Sequence, residues 1–123
     1  MNRKISLITA PDDLEFDAIR ILAVCLSPDQ SNTLSDVLKV LEVEKDINLY
    51  IYNHADDLYW LVDKAHKADI IFVNGAMENQ KVAGWLASKR QSCFFDDAPL
   101  HKALNNTIVY SKEQIELAIR KAL

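Results

Sequence analysis

The chain has 123 residues, 50% hydrophobic and 26% charged, with a net charge of −4. A length of this kind folds as one domain, 1–123, and buries roughly 65–70% of its unfolded surface, while the acidic balance weighs against a nucleic-acid partner, whose phosphates need basic residues. Gly75 and Gly84 are the only glycines, too few for a G-x-G-x-x-G turn or a P-loop, so dinucleotide and Walker-type nucleotide chemistry are set aside.

Met1-Asn2-Arg3-Lys4 leads into a short strand-like run and Pro11, not into a signal-peptide core, and no apolar run approaches membrane-spanning length. The expectation is a cytoplasmic protein. Cys25 and Cys93 lie inside apolar runs and are expected as reduced, buried thiols. Residues 4–9 alternate, with Ile5 and Leu7 on one face, and predict an added edge strand, expected antiparallel. Pro11-Asp12-Asp13 breaks it.

Residues 14–26 read two ways. Leu14, Ala18, Ile21, Leu22 and Cys25 fit one helical stripe, yet residues 19–26 also form a short β-branched run ending at Ser27-Pro28. Spacing favours the strand, because strand starts at 19, 47, 69 and 91 then recur at intervals normal for βαβ units. The helix reading leaves one long crossover from residue 9 to 47.

Ser27-Pro28-Asp29-Gln30 predicts a capped helix start, with Leu34, Val37, Leu38 and Leu41 as the inward stripe. Residues 47–52 alternate as a strand near an edge. Residues 53–57 open a second helix, whose expected stripe is Leu58, Leu61, Val62 and Ala65, leaving Tyr59 and Trp60 off it. Residues 70–73 are four large apolar residues in a row, the pattern of a strand buried on both faces, and Asn74-Gly75 ends them in a turn where both residues tolerate positive φ. Asn79 caps a third helix to about residue 89, with Val82, Trp85 and Leu86 inward. A strand at 92–95 ends at Asp96-Asp97 and Pro99, and a short helical segment at 100–104 precedes a strand at 107–110. Ser111 to Gln114 is another capping box, opening a last helix with Ile115, Ala118, Ile119 and Ala122 inward. The alternation predicts a three-layer α/β sandwich of the flavodoxin-like class, with a mainly parallel sheet of about five strands plus the N-terminal edge strand.

In such a sheet the loops after the strands share one rim, where ligands bind. The rim residues with useful chemistry are Asn74, Glu78, His54, Asp96 and Lys112. His54 beside Asp56 or Asp96 has the residue types of a general acid/base. His66 and His101 fall elsewhere, so no spaced metal-ligand set is visible and no cofactor is expected.

Asp12-Asp13, Asn74 and Lys112, under the helix reading of 14–26, resemble the acid pair, acceptor position and lysine of response-regulator receiver domains. Asn74 replaces the acceptor carboxylate and Asp96 stands where Ser or Thr is expected, so this resemblance implies an inactive pseudo-receiver. Residues 68–75, 83–89 and 93–95 resemble the strand–helix–strand unit of nucleoside 2-deoxyribosyltransferases. That family's catalytic Glu enters the helix near its start, where this chain has Lys81-Val82-Ala83, and Glu78 comes too early. The likeness implies architecture more than activity.

Few residue types suited to catalysis stand together, and Tyr59–Trp60 is an aromatic pair off its helix's stripe. The expectation is therefore a non-enzymatic binding or regulatory module acting through a protein partner or a homodimer, with Tyr59 and Trp60 at the interface. The rival expectation is a nucleoside- or nucleotide-binding protein or enzyme, 2-deoxyribosyltransferase-like, using Asn74, Glu78, His54, Asp96 and Lys112.

Overall fold

The computed structural model describes residues 18–53, 57–95 and 107–123, together with the backbone of 5–8. Six strands form one sheet: β1 (Ile5–Ile8), β2 (Ile19–Val24), β3 (Ile47–Tyr52), β4 (Ile70–Asn74), β5 (Ser92–Phe95) and β6 (Thr107–Val109). Their order is β1-β3-β2-β4-β5-β6, and every pairing is parallel. Four helices alternate with them: α1 (Pro28–Leu41), α2 (Leu58–Lys67), α3 (Gln80–Ala87) and α4 (Lys112–Ala122). This is an α/β sandwich of the flavodoxin-like class. Residues 19–24 are a strand, as the spacing argued.

Each interior strand sends alternate side chains to opposite layers, as a period of two requires. Ile19, Ile21 and Ala23 of β2, with Ile70 and Phe72 of β4, meet α1 and α4. Leu22, Val24, Ile71 and Val73 meet α2 and α3. Both faces are covered, which is why residues 70–73 carry no polar alternation. Phe72, Phe94, Ile71 and Leu38 are fully buried, and each such side chain contributes about 1.5–3 kcal/mol.

Helix starts follow the sequence signals. The Gln30 backbone N–H donates to Ser27 Oγ at 3.2 Å, and the Ser27 N–H donates to Gln30 Oε1 at 3.0 Å. Ser111 and Gln114 repeat the reciprocal pair at 3.3 and 3.0 Å. Together they satisfy donors that a helix start otherwise leaves open.

Four expectations need correction. β1 is an edge strand but runs parallel to β3, with Ile5 level with Ile47. The alternation of residues 4–9 fixes which face each side chain takes and leaves the strand's direction open. In α2, Leu61 and Ala65 are buried while Leu58 and Val62 are 51% and 40% exposed, and Lys64 takes an inward place. In α3, Ala83, Leu86 and Ala87 are the buried residues, whereas Val82 and Trp85 only flank the core, and the helix ends at Ala87. In α4, Ile115 and Ile119 are buried and Ala118 and Ala122 lie at the core's margin. The turn at 11–13, the helical alternative at 14–17 and the segment at 100–104 lie outside the described residues.

Candidate functional site

Strand order reverses between β2 and β4: from β2 the chain moves outward to β3, and from β4 to β5. The carboxyl ends of these two strands flank the crevice where open α/β sheets bind ligands. β2 leaves through Cys25, a half-buried residue with φ of 53°, whose N–H donates to the Tyr52 carbonyl at 2.8 Å. A non-glycine residue in the left-handed region is uncommon, and here it turns the strand directly into the Ser27 cap of α1. β4 leaves through Asn74. Its Nδ2 donates to the Cys25 carbonyl at 3.1 Å, and its Oδ1 accepts from the Ala76 N–H at 3.0 Å and from Gln30 Nε2 at 3.4 Å. Gln30 thus serves the α1 cap with one end and Asn74 with the other.

These bonds stretch a strap across the crevice. Both ends of the Asn74 amide are engaged within the chain, and each such bond is worth about 0.5–1.5 kcal/mol that a ligand must replace. The expected positive-φ turn at Asn74-Gly75 is not formed; positive φ belongs to Cys25 alone among the described non-glycine residues, and no described glycine has it. The Asn74 side chain makes the turn instead, through Ala76, with the Met77 N–H closing on the Asn74 carbonyl at 3.0 Å.

The predicted ligand residues do not all gather there. Glu78 is exposed in the same loop as Asn74, immediately before the Asn79 cap of α3. Lys112 begins α4, but its ammonium lies 2.9 Å from Asp36 of α1, an inter-helix ion pair. His54 and Asp96 lie outside the described residues, as do Asp56 and Asp97. Among the described residues no three His, Cys, Asp or Glu stand close enough together to hold a metal ion. Cys93 is buried under α4, and burial pushes its thiol up to about 11, so it is protonated and inert at neutral pH.

A pocket of about 280 Å³ opens beside the crevice, between α1 and the carboxyl half of β3. Ala23, Leu26, Leu49 and Ile51 make its apolar floor; Ser31, Asn32, Ser35 and Asn53 supply neutral hydrogen-bonding groups. Apart from Asn53, which opens the predicted second helix, none of these lining residues was singled out from sequence. The available signal was the spacing of Ser31 and Ser35, four apart and therefore on one face of α1.

The Tyr59–Trp60 pair divides. Trp60 turns inward, its ring edge-on to Tyr50 with centroids 6.3 Å apart, and packs against the core. Tyr59 is 86% exposed. At 100° per residue Leu58, Tyr59 and Val62 occupy one outward sector of α2. The residue that replaces them inside is Lys64, fully buried, with Nζ 5.1 Å from the centroid of the Tyr50 ring and 3.4 Å from Asp63 Oδ2.

No helix of the described residues is long and apolar enough to cross a membrane. No protein-family model, curated protein or solved structure matches the chain.

Proposed function

We propose that this chain is a binding module that acts through protein–protein contact, with the outer face of α2 as its contact surface. One observation carries the reading: α2 buries a lysine and keeps Leu58, Tyr59 and Val62 outside. A roughly 60° turn about the helix axis brings Leu58 and Val62 inside in place of Lys64, so these two are exposed at the expense of an easier burial, while Tyr59 stays outside in either orientation. Aromatic and aliphatic residues presented in this way anchor interfaces. The engaged Asn74 amide points the same way, since the crevice is strapped by the chain's own groups. The setting is the reducing cytoplasm, in keeping with Cys93 as an inert interior thiol.

A photo-cross-linking amino acid placed at Tyr59 in the native host tests this. The expected result is one discrete adduct that disappears with Leu58→Asp and is absent with the cross-linker at Lys81, an exposed residue of α3. Equal adducts from both positions, or none from either, overturn the reading.

The α1–β3 pocket favours a second reading, a small neutral ligand such as a nucleoside. Among the described residues its lining contains no charged group, and a nucleoside suits these better than a nucleotide. A ligand at 100 times its Kd adds about 2.7 kcal/mol of stability, which thermal-shift screening of nucleosides and nucleotides detects. A blank screen leaves the α2 surface as the function.

A further inference from the structure

Helices α1 and α4 lie side by side on one face of the sheet and are clasped at two heights. Lys112 Nζ is 2.9 Å from Asp36 Oδ2, and Arg120 Nη1 is 2.9 Å from Glu44 Oε2. Asp36 and Glu44 stand eight positions apart, as do Lys112 and Arg120, so the rungs are about 12 Å apart along parallel helices. Between them is an open groove of about 570 Å³ floored by Val37 and Val40. The surface around it leaves Val40, Val43 and Leu117 exposed at 55%, 74% and 56%.

The charges of the two rungs are sorted by helix, and α4 also brings the acid Glu113 to the groove. The acids Asp36 and Glu44 belong to α1 and the turn that ends it; the bases Lys112 and Arg120 belong to α4. Midway, exposed Lys39 on α1 is level with Glu116 on α4, which Arg120 holds at 3.4 Å. A two-fold axis along the seam sets α1 of one copy over α4 of another at matching heights. Asp36 then meets Lys112 of the second copy, Glu44 meets its Arg120 and Lys39 meets its Glu116, while the apolar residues meet between the rungs. A two-fold axis across the seam instead lays α1 on α1 and α4 on α4, setting acid against acid and base against base. The rung charges therefore favour the first self-pairing over the second.

We propose that the α1–α4 surface is a self-complementary interface that pairs two copies of this chain about a two-fold axis parallel to the helices. The surface is distinct from the α2 face. Helices of 14 and 11 residues offer a footprint of about 400 Å² per copy, roughly half the usual 800 Å². The pairing is accordingly weak and concentration-dependent.

Sedimentation of the full chain from about 10 to about 500 micromolar tests it, over the range where weak interfaces populate. The wild type is expected to shift reversibly from monomer to dimer. Asp36→Lys/Glu44→Lys and Lys112→Glu/Arg120→Glu should each self-associate at least about tenfold more weakly, because each places like charges at both rungs. An equimolar mixture of the two should recover the dimer as a heterodimer. Circular dichroism establishes that each variant is folded, and Val40→Asp, which leaves every rung intact, should give the same loss. A wild type that stays monomeric throughout, or variants that dimerise as the wild type does, overturns the proposal. The Tyr59 cross-linking result is independent of either outcome.

Discussion

Helices α1 and α2 cover opposite faces of the same sheet, and the same rule of periodicity predicts an inward stripe for each. In α1 all four expected residues, Leu34, Val37, Leu38 and Leu41, are at most 4% exposed. In α2 only Leu61 and Ala65 are inside, and Lys64 displaces Leu58 and Val62. The floors beneath the helices account for the difference. α1 rests on Ile19, Ile21, Ala23 and Ile47, an aliphatic surface that takes any branched side chain. α2 rests near Tyr50 and Tyr52, and the buried Lys64 places its ammonium over the Tyr50 ring. Periodicity counts residue types, whereas a long cation with four methylenes is both apolar and charged.

The comparison breaks most sharply under truncation. Leu38→Ala, in α1, should lower unfolding stability by about 2–5 kcal/mol, as for any fully buried leucine. In α2 the order inverts what the residue types suggest: Lys64→Ala should cost about 2 kcal/mol or more through lost packing and the lost cation–π contact, and Leu58→Ala less than about 1 kcal/mol. Urea unfolding at neutral pH reads all three. Leu58→Ala as costly as Lys64→Ala places α2 in the orientation its periodicity predicts, and removes the exposed Leu58 and Val62 on which the proposed function rests.

The fold was legible wherever one residue's chemistry decides its own local structure. Ser27 with Gln30, and Ser111 with Gln114, announce helix starts because a cap is a contact over three residues. Ile70 to Val73 announce a doubly buried strand because four apolar residues admit little else. The direction of β1 was not legible, since alternation assigns side chains to faces and is the same for either direction. The rim was legible in place but not in use. Asn74 stands where sequence put it, yet its partners are Cys25 and Gln30, 49 and 44 positions away. Nothing local marks Cys25 for a positive φ, which follows from how β2 must bend to reach the Ser27 cap. The engagement of Lys112 by Asp36 is equally non-local.

Asn74 and Ser27 extend the comparison to the two strand exits. Asn74→Ala removes bonds to Cys25, Ala76 and Gln30 at once; the expected loss is about 1–3 kcal/mol. Ser27→Ala removes one cap bond and should cost about 1 kcal/mol. Unfolding curves for the two variants and their double should show coupling, because Gln30 serves both residues. Strict additivity of the two losses means that the strap and the cap act separately.

The smallest effect lies in the charges that distinguish the two helical layers. A hydrogen bond from Lys112, then its charge, holds the Asp36 carboxyl below its ordinary 3.8, and Arg120 does the same for Glu44 relative to 4.5. On α2, desolvation raises Asp63, but Lys67 and Lys64 together outweigh it and the net shift is again downward. A carboxyl with a lowered pKa in the folded chain binds its proton less readily than in the unfolded chain. Its contribution is present above the ordinary carboxylate range and is lost as pH falls through the folded value. These groups are exposed and screened, so the contribution is small and shrinks with added salt. Lys112→Met with Arg120→Met should flatten the acid limb of stability against pH, read by urea unfolding from neutral pH down to about 3. Lys67→Met should flatten it less, since Lys64 still faces Asp63. The reverse ranking shows that the α1–α4 clasp contributes less than the Lys67–Asp63 pair on α2.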